Sequence, residues 1–285
     1  MSNLTSYTSA TRPSASANTG LCIFRSDTEA IEVSDGTGWL VYNYDSKTYA
    51  LDGSNLISVA PTMHFDAYLL DGSDHANNPS DGTGVSTYGD RSGNATNFDA
   101  TQSTAANQPT YKEDASGLSF VRVAANDYMA LTNSKSIGSS DDLTVIQVAK
   151  RTADWYSTII LDSSQYSYLE AAYYLIGTNS HYMMGTLDSS TTFTRTDLNS
   201  LHILVSQRSG GSFKVWLNSG SAKITGVTNS SSATYDRLFQ GSNTDAVKGD
   251  YYETLYFDSA LSLLDMNTVR SYLSSKYSIT SSAFS

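Results

Sequence analysis

The sequence predicts a mostly β protein: a two-layer antiparallel sandwich, preceded by a small β unit and closed by one helix. Three observations lead there. Short apolar runs of strand length recur along the chain, clusters of Gly, Asn, Asp and Ser separate them, and one segment alone has convincing helical spacing. Many short strands joined by polar connections pack as two sheets, whereas an α/β fold needs a helix between strands.

Composition narrows the function classes. The 285 residues are 39% hydrophobic and include 20 tyrosines, enough for a sizeable core in one large β domain with an appendage. The formal net charge is −11, so the chain lacks the basic face that a phosphate backbone requires, and nucleic acid is excluded as the expected partner. No apolar run reaches the roughly 18 residues of a membrane helix, so no membrane partner is expected. The amino terminus, MSNLTSYTSATRPSASANTG, lacks the basic-then-apolar layout of a signal peptide. Cys22 is the single cysteine, which fits folding in a reducing cytoplasm.

Taken in order, residues 1–20 are too polar to build a core and need a partner to hold them. Leu21, Ile23, Ile31, Val33, Trp39 and Val41 then alternate around the turn signals Ser26-Asp27 and Asp35-Gly36, which gives two or three short strands. So small a meander cannot bury its own apolar face. Ile23 and Trp39 are therefore expected to be exposed and to serve attachment or oligomerisation. Residues 1–60 form this arm and unit, and 61–285 form the sandwich.

Within the sandwich, strands are expected at 143–150, 157–162, 168–177, 201–207, 213–218 and 251–258. Residues 143–149 are apolar on both faces and belong at the centre of a sheet. In 213–217, Phe213, Val215 and Leu217 share one face, and Lys214 and Trp216 the other. The helix starts at Ser262 as N-cap, with Asp265 three positions on. Met266, Val269, Tyr272, Leu273 and Lys276 follow at helical spacing, with Lys276 near the carboxyl end, where the dipole favours a cation.

Several stretches carry a resemblance: FDAYLLDGSD, then GTGVSTYGDRSGNATNFDATQSTAANQPTY, then FVRVAANDYMAL, and the ending ETLYFDSALSLLDMNTVRSYLSSKYSI. In combination they resemble the laminin-G-like, concanavalin A-like jelly-roll domains of bacteriophage structural proteins, from about residue 65 to 279. Tyr88 stands where that family usually has tryptophan, which keeps an aromatic anchor. Residues 12–44 are similar to the small β unit of phage head and tail appendages, with its Arg-Pro, strand, Asp-Gly and tryptophan. The resemblance implies that the polar stretch 88–111 is ordered. It also implies a virion component, often a homotrimer.

The sequence carries little recognisable catalytic chemistry. Sandwich glucanases carry carboxylates in a Glu-x-Asp-x-Glu run, which is lacking here. Glu170 and Glu253 read as isolated surface or turn carboxylates, and Asp141 and Asp142 as pointing to opposite faces. Asp71, Asp74 and Asp81 could suit calcium, but Asp-Gly pairs are ordinary turn chemistry. His64, His75, His181 and His202 have no ligand spacing, and neither a nucleophile elbow nor a phosphate loop occurs. No catalytic residue, metal or cofactor is expected. The remaining candidates are aromatic: Trp155, Tyr156, Tyr166, Tyr168, Tyr173, Tyr174, His181 and Tyr182 crowd one segment. They suit a protein interface or a glycan ring. The expected function is a non-enzymatic virion protein, a capsid decoration protein or head fibre binding other capsid subunits. The alternative is a tail adhesin, with that aromatic segment and the 71–110 loops binding host glycan.

Overall fold

A computed structural model describes residues 6–8, 11, 13–17, 22–25, 30–34, 39–42, 49–51, 56–124, 126–151, 161–162, 172–176, 179–183, 193–194, 200–218, 220–228, 232–239 and 248–285. The strands run in chain order as β1 (Ser6–Tyr7), β2 (Cys22–Arg25), β3 (Ala30–Ser34), β4 (Trp39–Tyr42), β5 (Tyr49–Ala50), β6 (Leu56–Ile57), β7 (Met63–Asp66), β8 (Thr87–Tyr88), β9 (Ala100–Thr101), β10 (Thr110–Glu113) and β11 (Ser119–Val123). They continue as β12 (Met129–Ile137), β13 (Leu143–Arg151), β14 (Leu161–Asp162), β15 (Ala172–Ile176), β16 (Asn179–Met183), β17 (Phe193–Thr194), β18 (His202–Ser209), β19 (Ser212–Leu217), β20 (Ile224–Thr228), β21 (Ala233–Leu238) and β22 (Gly249–Phe257). The helix α1 (Leu263–Lys276) follows.

Two sheets make the sandwich. The larger has eight strands in the order β10-β11-β22-β13-β18-β19-β20, with β7 also paired to β22. Strands β11 and β7 share one edge of β22 end to end, at Tyr251–Gly249 and Tyr256–Glu253 respectively. The smaller sheet has five strands, β14-β21-β12-β9-β8. Every strand pair in both sheets is antiparallel, as expected for a jelly-roll sandwich. Strand β13 lies between β22 and β18, the central place its two-sided apolar pattern demands.

Side-chain alternation divides the core into two layers. Phe65, Tyr88, Val145, Phe213, Val215 and Tyr256 fill the space between the sheets. Ile146, Val148, Trp216, Leu255 and Phe257 point to the other face of the larger sheet, where Met266, Val269, Tyr272 and Leu273 of α1 cover them. That face also buries Leu51 and Ile57, each 1% exposed, so the 49–57 hairpin packs with the sandwich although the sequence assigns it to the N-terminal unit. The Ser262 hydroxyl caps α1, accepting from the Asp265 amide at 3.1 Å. The Asp265 carboxylate in turn accepts from the amide and hydroxyl of Ser58, at 3.0 and 2.8 Å.

The polar stretch 88–111 is ordered, held by side-chain bonds within the loop and back to residues 61–64. Tyr88 is 1% exposed and meets Phe65 edge-on at 5.2 Å. Asp90 accepts from the amides of His64 and Ser92, each at 2.9 Å. Asn94 donates to the carbonyls of Pro61 and Thr62. Gly89 lets two loops meet: a Cβ there would lie 2.6 Å from the Asp71 carbonyl carbon.

Candidate functional site

Strand alternation puts Met63 and Phe65 into the inter-sheet core and turns His64 and Asp66 towards α1. Register then sets Glu253 of β22 opposite Asp66. Helical spacing brings Tyr272 and Lys276 onto the same spot, and a buried charged cluster results. The His64 Nε2 and Glu253 Oε1 atoms lie 2.7 Å apart. The Lys276 ammonium donates to Asp66 and Glu253, each at 2.7 Å. Arg91 donates to Asp66 at 2.6 Å, and the hydroxyls of Tyr272 and Tyr277 donate to Glu253 at 3.0 and 2.9 Å.

Glu253 is therefore not the isolated surface carboxylate expected from the sequence: it is 1% exposed and multiply bonded. Burial penalises its charge, but Lys276 and then His64 outweigh that penalty and hold its carboxyl well below the usual range. Burial works against the Lys276 charge too, and Glu253 and Asp66 overcome it, so its ammonium is raised above the ordinary lysine value. Burial, followed by the Glu253 charge, pushes up the phenols of Tyr272 and Tyr277.

His64, Asp66 and Glu253 offer ligand atoms within 4.8 Å of one another, close enough for a metal. An ammonium already bonds both carboxylates, and a divalent cation would have to displace it against Arg91 as well. The donor set fits a structural ion cluster better than a metal. Nor can this pair work on a glycosidic bond, because both carboxylates are sealed beneath α1.

The other acidic candidates act in turns. Asp71 accepts from the amides of Asp74 and Ser73, which hold its carboxyl far below the usual value. Asp74 caps the 3₁₀ turn at His75–Asn77, and Asp81 accepts from the Glu113 amide at 3.0 Å. Asp141 and Asp142 accept from the amides of Gly138 and Gly210. His202 lies on β18 and pairs with Asn218.

Of the predicted aromatic residues, Trp155, Tyr156, Tyr166 and Tyr168 lie outside the described residues, as does Glu170. The backbone brings the other four together: β15 pairs with β16 so that Tyr173 faces Tyr182 and Tyr174 faces His181. Ile23 corrects the expectation of an exposed attachment residue, because it is fully buried within the single chain. Trp39 begins β4, the last strand of a separate four-stranded sheet ordered β1-β2-β3-β4.

The outer face of the smaller sheet differs from all of this. Arg237, Ala130, Thr101 and Thr87 are register partners in a row across it, with exposed Ala130, Thr101 and Thr87. Beside this row a cleft opens at the β8–β9–β12 end. Nothing in the alternation of the sequence marked it, since small polar residues on an outward face are ordinary.

Neither protein-family models nor curated proteins match this sequence. Solved structures do. An arabinofuranosidase complexed with arabinofuranosyl-α-1,2-xylobiose is 14% identical with a TM-score of 0.50, covering 66% of this chain and 50% of that one. Domain 4 of AbnA, a GH43 extracellular arabinanase from Geobacillus stearothermophilus, in complex with arabinotriose, is 16% identical with a TM-score of 0.44, covering 64% of this chain and 96% of that one. The botulinum neurotoxin serotype D ligand binding domain in complex with N-acetylneuraminic acid is 12% identical with a TM-score of 0.46, covering 75% and 51%. The chain spans about half the length of the arabinofuranosidase structures it matches. At these identities the likeness is one of fold alone.

Proposed function

We propose that the chain is a non-catalytic structural component of a bacteriophage particle, a capsid decoration protein or head fibre. The N-terminal β unit attaches it to capsid proteins and to further copies of itself, as a trimer, and the sandwich faces outward. The observation that carries this reading is the edge of β4. Trp39–Tyr42 pairs with β3 on one side and, among the described residues, with no strand on the other. An apolar edge strand of this kind is a template for pairing with another chain. The sequence pattern of residues 12–44 and 65–279 supports the phage context.

Deleting residues 1–44 tests it, because this cut keeps Leu51 and Ile57 in the core under α1. The shortened chain should fold and fail to co-sediment with phage heads that bind the full chain. A shortened chain that still co-sediments overturns the proposal. Light scattering showing a stable monomer at micromolar concentration would remove the trimer.

A second reading, a tail adhesin for host glycan, is favoured by the cross-strand pairing of Tyr173 with Tyr182 and of Tyr174 with His181. Paired aromatics on a hairpin can offer a stacking surface to a sugar ring.

A further inference from the structure

The cleft on the smaller sheet is an open recess of about 320 Å³ lined by Ser86, Thr101, Gln102, Ser103, Tyr128 and Ala130. That volume lies at the lower end of the range for small-ligand sites, about 300–1,000 Å³. Its frame is held in place from behind. Gln102 is 5% exposed. Its side-chain amide donates to the Tyr128 carbonyl at 3.1 Å and accepts from the Thr104 amide at 2.9 Å. The Gln108 amide then donates to the Gln102 carbonyl at 2.7 Å, tying the 102–108 loop to β9. Tyr128 is half-buried, and the Arg237 guanidinium sits 4.8 Å from its ring centre.

The front of the cleft is uncommitted. Among the described residues, the hydroxyls of Ser86, Thr101 and Ser103 are spent on no bond, and no ionised side chain lines the recess. Hydroxyls that both donate and accept match a ligand made of hydroxyls. A braced, half-exposed tyrosine ring beside them matches the apolar C–H face of a sugar ring. The lining residues are neutral and the net charge is −11, which disfavours an anionic ligand even with the Arg237 guanidinium beside the Tyr128 ring. The geometry points to a binding site for a neutral saccharide, centred on Thr101 and Tyr128. The assignment rests on the glycan-binding reading for its ligand class, but it places the sugar on the sheet face and not on the β15–β16 hairpin.

A preformed site with few polar anchors binds weakly, with a Kd of about 1 mM. The test is saturation-transfer NMR of the full chain with four neutral trisaccharides: cellotriose, xylotriose, maltotriose and arabinotriose. At least one should give transfer. Ala130→Phe, which fills the recess from an exposed strand position, should abolish that transfer. Thr101→Val, which keeps the β-branched shape and removes one hydroxyl, should weaken binding about 5–10-fold. A double Tyr173→Ala, Tyr182→Ala variant should bind unchanged. Both cleft substitutions are surface changes, so an unaltered melting curve separates lost binding from lost folding. Transfer that survives Ala130→Phe overturns the assignment. If the hairpin variant also removes that transfer, the site is wrong while the glycan reading stands. No transfer from any of the four overturns the cleft, and with it this form of the glycan reading.

Discussion

The two sheets of the sandwich share one core but have opposite outer faces. The larger sheet is covered by α1, the 49–57 hairpin and the carboxyl terminus, where Trp216 donates to the Ser285 carbonyl. The smaller sheet turns exposed Thr87, Thr101, Ala130 and Ser134 outward. The covered face carries the buried Asp66–Glu253–Lys276 cluster, whereas the open face carries mostly small neutral side chains, with Arg237 beside them. The difference separates stability from presentation. Ionised groups beneath a helix are costly unless fully paired, so they belong to the folded frame. An open face of short polar residues contributes little to folding and is free to meet something else.

Substitutions on the covered face should have the largest effects. Leu273→Ala empties a fully buried site between α1 and the larger sheet, and should cost about 3–4 kcal/mol in urea unfolding. Lys276→Met removes the cation shared by Asp66 and Glu253, and should cost about 3 kcal/mol. That figure sits at the low end for broken buried pairs because Arg91 and His64 keep their partners.

The same cluster predicts an acid-dependent loss. Folding depresses the carboxyl of Glu253 below its ordinary value of 4.5. Its stabilisation is therefore complete above pH 4.5 and lost as the pH falls below it, towards the folded value. Lys276 is raised above 10.5, so its share is complete below pH 10.5 and lost only at higher pH. Urea midpoints should stay level between those limits and fall on the acid side, with a shallower fall in Glu253→Gln. A fall of equal slope in that variant would show that other carboxylates set the acid limit.

Ser134→Lys should have the smallest effect, within about 0.5 kcal/mol, because Ser134 is exposed on the open face. A cost like that of Leu273→Ala would mean that something covers this face in the isolated protein, and the contrast between the sheets would collapse.

Local pattern carried much of the fold. The 3.6-residue spacing of Met266, Val269, Tyr272 and Leu273 placed α1, and two-sided apolarity placed β13 in mid-sheet. The order of Tyr88 and its Asn- and Asp-rich loop was implied by the family resemblance, and the bonds that hold it run from Ser92 to Asp90 within the loop and from Asn94 to Pro61 outside it. The charged cluster was not legible, since Lys276 meets Asp66 across 210 positions of sequence. One local signal was available: Lys276 continues the buried stripe of α1 and so needed a buried carboxylate. Ile23 was misjudged because a short meander was taken to leave its apolar face open, whereas Ile23 is fully buried in the single chain. The cleft gave no signal, because its lining residues come together only when three strands and a loop converge.

The central claim is that this chain is carried on a phage particle by its N-terminal sheet, with the sandwich outward. Immunogold labelling of intact virions, using antibody raised against residues 61–285, tests it most directly. The account predicts gold spread over the head, at a density consistent with a repeated subunit. Virions without gold would contradict it, and gold confined to the tail would replace the decoration role with the adhesin.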